Sequence, residues 1–276
     1  MAARKKISSG HIEEEMPQVS VSDDGVSRYL HLGTPWVQGS MNLKKPFEID
    51  LEYVQRMMAW LLFVEPEQVS EYKAVQLGLG AAALTKFHHH KLKMHTTAIE
   101  INPLVVNICR SWFKLPPDND RLEVVLGNAS MEILKPRWQA SVDALQVDLY
   151  DHNAAAPVLD SVEFYTDCRN MLTPEGSMTV NLFGRASSYQ RSLEKISAAF
   201  GAENVWAFKP TREGNTIVLA QRVATPLTRE ALSVRADAIQ ARWNLPATKW
   251  LKVFKRVADS PQKPAQAEPT KAEQVQ

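Results

Sequence analysis

The stretch "VQLGLGAAALTKF", Val75 to Phe87, decides the fold. The apolar run "KAVQL" reads as a buried strand, Gly78-Leu79-Gly80 as a turn, and "AAALTKFHHH" as the helix that follows. A strand that turns over glycines into a helix is the opening unit of a nucleotide-binding α/β domain, because glycines let the backbone approach a ligand closely. Position 83 is alanine, so the full Gly-x-Gly-x-x-Gly pattern is absent and a mononucleoside fits better than a dinucleotide pyrophosphate.

The same alternation continues downstream. "HTTAIEIN" reads as a second strand, "PLVVNICRSWF" as a helix with Pro103 in its first turn, "RLEVVLGN" as a third strand and "SVDALQVDLYD" as a fourth. "VEFYTDCRNML" is a helix, "TPEGSMTVNLF" a turn and a strand, and "SSYQRSLEKISAAFG" a helix. "NVWAFKP" and "NTIVLAQR", around "TREGN", read as an antiparallel pair, and "LTREALSVRADAIQARW" as a last amphipathic helix. Strands alternating with helices predict an α/β fold: a Rossmann-like, doubly wound, mostly parallel sheet.

Upstream, "PQVSVSDDGVSRYLHLGTPWVQ" alternates apolar and polar residues around Asp24-Gly25, a hairpin signal, and "DLEYVQRMMAWLLFV" has helical periodicity with Asp50 placed to cap it. The expected organisation is a flexible N-terminus over 1–17, a β-hairpin plus helix over 18–66 and a Rossmann-like domain over 67–258. A disordered tail follows over 259–276, rich in Pro, Gln, Ala, Glu and Lys.

The 276 residues are 45% hydrophobic and 23% charged, the balance of a soluble globular protein, and a formal net charge of +1 gives no overall field for nucleic acid or an anionic membrane. Cys109 and Cys168 lack metal-ligand or CxxC spacing and are expected as buried free thiols, which suits a cytoplasmic location. No secretory signal and no run of about 18 apolar residues is found. "HHHKLKMH" matches no common zinc spacing; His88, His89 and His90 are expected on a solvated helix end, where they compensate its dipole, and no metal is expected.

Ligands of doubly wound folds sit beyond the carboxyl ends of the strands. Gly78 and Gly80, Glu100, Gly127-Asn128, and Asp148 with Asp151 stand at successive strand ends. Singly, each has a bland reading as a turn, a solvated strand end or a cap. Together, and in that order, they outline a nucleoside site.

The segments "LGLGAAALTKF", "AIEINPLVVNICRSWFKLP", "DRLEVVLGNA", "VDLYD" and "EFYTDCRNMLTPEGSMTVNLF", with "VQGSM" and Tyr53 upstream, resemble the spermidine synthase (polyamine aminopropyltransferase) family, whose fold is that of S-adenosylmethionine-dependent methyltransferases. The resemblance covers most of residues 18–225. It implies transfer of an aminopropyl group from decarboxylated S-adenosylmethionine, a co-substrate, to a polyamine such as putrescine, by an enzyme of a family that usually dimerises. It implies Asp148 as the catalytic carboxylate that helps deprotonate the amine, with Asp151, Tyr53 and Gln38 binding the acceptor. Gly78, Gly80, Glu100 (the ribose ligand), Asn128 and Ala129 would hold the nucleoside.

The chain departs from the family at several positions. Where the family's first loop reads Gly-Gly-Gly-Asp-Gly-Gly, this chain has Gly78-Leu79-Gly80-Ala81-Ala82-Ala83, without the aspartate that holds the aminopropyl amine. Asn128 replaces an aspartate, His152 replaces a proline after Asp151, and Val54 replaces a histidine after Tyr53. Two other readings therefore stay open: a methyltransferase using intact S-adenosylmethionine, and a catalytically inactive member with a residual nucleoside pocket.

The chemistry asks for these residue types. A polyamine is protonated at neutral pH and only a neutral amine can displace a sulfonium carbon. A carboxylate must take the proton, and others must offset the ammonium charges.

Overall fold

The computed structural model describes residues 16–150, 159–184 and 186–259. Asp151 and His152 lie outside the described residues. Two sheets organise the chain. The smaller has three antiparallel strands in the order β1 (Val19–Asp23), β2 (Ser27–Leu32), β3 (Gly39–Asn42). Gly25, at φ +86°, makes the turn between β1 and β2, and the Asp24 carboxylate accepts from the backbone N–H groups of Val26 and Ser27.

The larger sheet has eight strands. β4 (Lys73–Leu77), β5 (His95–Glu100), β6 (Leu122–Leu126), β7 (Val142–Val147) and β8 (Leu172–Phe183) are parallel. β9 (Val205–Phe208), β10 (Asn215–Gln221) and the unforeseen β11 (Phe254–Arg256) extend it antiparallel, so the order is β11-β9-β10-β8-β7-β4-β5-β6. The predicted mostly parallel α/β sheet is what forms. Where the sequence reads a turn, residues 173–176 instead bulge within β8, between the register pairs Val142↔Leu172 and Ala144↔Ser177.

The chain leaves β4 toward β5 on one side and later returns to place β7 on the other. Strand order therefore reverses between β4 and β7, and their carboxyl ends open the crevice where such folds bind ligands. Helices cover both faces. α1 (Glu52–Arg56), α2 (Ala83–Lys86) and α7 (Arg229–Trp243) pack on one, with the short α8 (Ala247–Trp250). On the other lie α4 (Ala129–Glu132), α5 (Val162–Met171) and α6 (Ala186–Phe200). The three-stranded sheet buries Leu30 and Met41 against the loop after β4 and against α3 (Pro103–Trp112).

Three local expectations are corrected. Asp50 does not cap α1: Leu51 is the N-cap and makes no side-chain capping bond. The Asp50 carboxylate is taken instead by the hydroxyls of Ser27 (2.9 Å) and Ser40 (2.8 Å), a tertiary tie that outcompetes the local one. The helix it was to start is α-helical only to Arg56 and tightens to 3₁₀ over Met57–Phe63. All seven residues of that stretch are buried, so packing on every side replaces the one-faced arrangement that periodicity implies.

The histidine run is the third. His88 is fully buried and its ring stacks on buried Trp60, with centroids 6.0 Å apart; burial pushes its pKa down to about 4. His89 is half-buried, and His90, exposed, stacks on Phe47. No group of residues fit to hold a metal occurs among the described residues, and no helix there is long and apolar enough to cross a membrane. Cys109 and Cys168 are buried free thiols.

Candidate active site

The loop after β4 is shaped by backbone geometry. Gly78 and Gly80 adopt φ of +84° and +51°. A Cβ on Gly78 would stand 2.3 Å from the Asp148 carbonyl oxygen, so this glycine is what lets the ends of β4 and β7 meet. Ala82 is left-handed too, at φ +57°, where the family's loop has glycine. The Gln76 amide donates to the carbonyls of Gly78 (2.6 Å) and Leu79 (3.3 Å) and accepts from the Thr85 hydroxyl (2.5 Å), tying the loop to strand and helix.

Ala81 is 3% exposed and lies against Gly39, where a Cβ would meet Ala81 Cβ and N at 2.7 Å. The place of the family's loop carboxylate is closed over by the backbone of β3.

Glu100 ends β5 and is buried. Its Oε2 accepts from Leu79 N–H and its Oε1 from Asn102 N–H, both at 2.8 Å. Burial pushes its carboxyl pKa up, and these backbone donors pull against that shift. Each oxygen keeps a second lone pair beyond those bonds. Past β6, Asn128 is exposed and caps α4: its Oδ1 accepts from Ser130 N–H (3.0 Å) and the Ser130 hydroxyl (2.8 Å). A backbone N–H can only donate, which identifies that atom as oxygen and leaves the amide –NH₂ as the group Asn128 can offer a ligand. Ala129 is buried behind it.

On the other side of Gly80, a small cavity is lined by Gln38, Ser40, Tyr53, Gly80, Ala81 and Asp148, among others. Asp148 follows β7 and is partly exposed into this cavity, while protein encloses it closely enough that burial raises its carboxyl pKa. Two donors oppose the rise: Asn181 Nδ2 reaches Oδ1 at 2.9 Å, and the Tyr53 hydroxyl reaches Oδ2 at 3.3 Å. Burial first, and then the charge of Asp148, hold the Tyr53 phenol well above its ordinary range, so it keeps its proton and acts as donor. Gln38 Nε2 has no protein partner. Val54, at the family's histidine position, is buried in the core.

The structure thus gathers Gln38, Tyr53, Gly80 and Asp148 around one cavity. Gly78, Glu100, Asn128 and Ala129 stand along the adjoining strand ends toward β6, outside that lining. Sequence reading missed Ser40 and Asn181. Ser40 stood inside "VQGSM", but Asn181 carries no local signal, because its place beside Asp148 depends on how β8 pairs with β7.

No protein-family model matches this chain. The chain is 32% identical over 235 residues to a polyamine aminopropyltransferase of Chromobacterium violaceum, a match covering 84% of this chain and 87% of that protein. This chain belongs to the polyamine aminopropyltransferase family. Solved structures share the fold at lower identity. A probable spermidine synthase from Corynebacterium glutamicum aligns with a TM-score of 0.68 at 19% identity, over 87% of this chain and 88% of that one. Human methyltransferase-like protein 13, in complex with SAH, aligns with a TM-score of 0.64 at 22% identity, over 71% and 93%. The aminopropyltransferase-family chain therefore carries a methyltransferase-like sheet with a three-stranded N-terminal addition.

Proposed function

We propose that this aminopropyltransferase-family enzyme moves an aminopropyl group from decarboxylated S-adenosylmethionine to a polyamine such as putrescine, with Asp148 as the proton acceptor. The observation that carries the reading is Asp148 itself: a carboxylate at the strand-order reversal, beside the glycine loop, opening on a cavity shared with Tyr53 and Gln38. The Gly78–Gly80 backbone, Glu100, Asn128 and Ala129 supply the nucleoside side, with the free lone pairs of Glu100 for ribose hydroxyls and the Asn128 amide for the adenine edge.

Asp148 accepts a proton from the acceptor ammonium, and the neutral nitrogen then attacks the propyl carbon bonded to sulfur. The C–N bond forms as the C–S bond breaks, and the bonding pair returns to sulfur to leave neutral methylthioadenosine. The raised pKa of Asp148 makes it a better proton acceptor than an exposed carboxylate. Alignment of amine and leaving group in line supplies much of the rest. Asp151, three residues on, is assigned the second ammonium of the acceptor. Buried free thiols support a reducing cytoplasm, and a homodimer rests on the family resemblance.

Initial rates with putrescine and decarboxylated S-adenosylmethionine test the assignment. Asp148→Asn is expected to lower kcat by roughly 10²–10⁴-fold. Turnover retained in that variant would remove Asp148 as the base. Absence of methylthioadenosine release by the unaltered enzyme with any diamine or triamine would remove the activity.

A further inference from the structure

Beneath Asp148 a line of two amides runs across two strands, β8 and β10. Asn181 on β8 is 4% exposed; its Nδ2 donates to Asp148 Oδ1 at 2.9 Å, and its Oδ1 accepts from Asn215 Nδ2 at 3.1 Å. An ionised carboxylate can only accept, so the direction is fixed along the whole line: Asn215 donates to Asn181, and Asn181 donates to Asp148. Asn215 is itself anchored by the "TREGN" turn. Its N–H donates to the Thr211 hydroxyl (3.2 Å), its carbonyl accepts from Thr211 N–H (2.7 Å), and Gly214 at φ +99° lets the chain reverse there. The backbone carbonyl of Asn181 is held separately, by the Tyr150 hydroxyl at 2.9 Å.

We propose that Asn181 and Asn215 form a positioning relay that fixes the Asp148 carboxylate with Oδ2 turned to the acceptor amine. The proposal rests on the reading of Asp148 as the proton acceptor. The two carboxylate oxygens are unequally held. Oδ1 has a normal hydrogen bond from a buried, doubly anchored amide, whereas Oδ2 has only the long contact of 3.3 Å from Tyr53. Oδ2 is the oxygen free to take a proton. Without the relay the carboxylate can rotate about its Cβ–Cγ bond and lose that aim.

The groups facing Asp148 leave its titration readable. Among the described residues, Tyr53 from α1 and Tyr150 from its own loop are the titratable groups that interact with Asp148, both held protonated by burial and by its charge, and the relay residues are neutral. Donation to the charged form favours ionisation, so loss of the relay moves the acid limb of the pH profile to higher pH.

The test is the pH dependence of kcat for Asn181→Ala and Asn215→Ala, beside Asp148→Asn, with thermal melts to confirm folding. Asn181→Ala is expected to lower kcat roughly 10–100-fold, with little change in KM for the aminopropyl donor and the acid limb moved up. Asn215→Ala touches neither Asp148 nor the cavity; it is expected to move the limb in the same direction with a kcat loss of roughly threefold. An inactive Asp148→Asn with both limbs unmoved overturns the relay and leaves the base assignment standing. An active Asp148→Asn overturns the base assignment and the relay with it.

Discussion

The loop from Gly78 to Ala83 and the strand end at Asp148 face each other across one crevice, yet their side-chain positions are held in different ways. Gln76 and Glu100 tie the loop backbone, and shape closes its side-chain positions: positive φ at Gly78, Gly80 and Ala82, and Ala81 pressed against Gly39. Asp148 is fixed by polarity, through the directed donors Asn181 and Tyr53. A part held by shape cannot accept extra atoms. A part held by donors depends on which neighbour gives a proton and which accepts one.

Gly78→Ala is the strongest way to break this contrast. It adds a Cβ 2.3 Å from the Asp148 carbonyl at φ +84°, and should cost about 3 kcal/mol or more. Denaturant midpoints measure it, and an unchanged midpoint would mean that the loop is not held by close approach.

Ala81→Asp restores the family's residue at a position 3% exposed, against the backbone of β3. It should destabilise by about 2 kcal/mol, the cost of a buried polar group without partners. A variant as stable as the parent, binding decarboxylated S-adenosylmethionine more tightly in calorimetry, would show that the crevice has room for the carboxylate.

Ala82→Gly should act the other way. It relieves a left-handed alanine, worth about 1–2 kcal/mol, against the extra chain entropy of glycine, about 0.4–1. A net gain of roughly 0.5–1 kcal/mol should show as a higher melting temperature.

The smallest effect is on the polar side. Burial raises the Asp148 pKa, so its contribution to stability is present below the ordinary carboxyl range and lost as pH rises through the raised value. Asp148→Asn should therefore be slightly more stable than the parent at pH 7 and lose that advantage in acid. The size is limited because Asn181 and Tyr53 already offset part of the burial. Identical stability profiles against pH would mean that burial imposes no cost on the charge.

Much of the crevice was legible in the chain because strand ends announce themselves. Gly78, Glu100, Asn128 and Asp148 each follow a short apolar run, and the alternation of runs orders them without any knowledge of side-chain contacts. What escaped depends on partners distant in sequence. Asp50 has the local signature of a helix cap, yet Ser27 and Ser40 hold its carboxylate. His88 ends a short helix and reads as solvated, but the Trp60 segment lies over it. Asn181 becomes a neighbour of Asp148 only through the pairing of β7 with β8, and reaches Asn215 only through the antiparallel pairing of β8 with β10. The 3₁₀ path of Met57–Phe63 likewise follows from burial on all sides, which periodicity cannot register.

The contact of Gly39 with Ala81 turns two distant segments into one unit of inheritance. A loop transplanted from a relative with a carboxylate at position 81 would meet a strand already closed over it. A three-stranded sheet transplanted alone would meet the same mismatch from the other side. Chimeras that exchange either segment singly should fold poorly, and those that exchange both should recover. In this chain, the choice of residue at the mouth of the crevice is made jointly by β3 and by the loop.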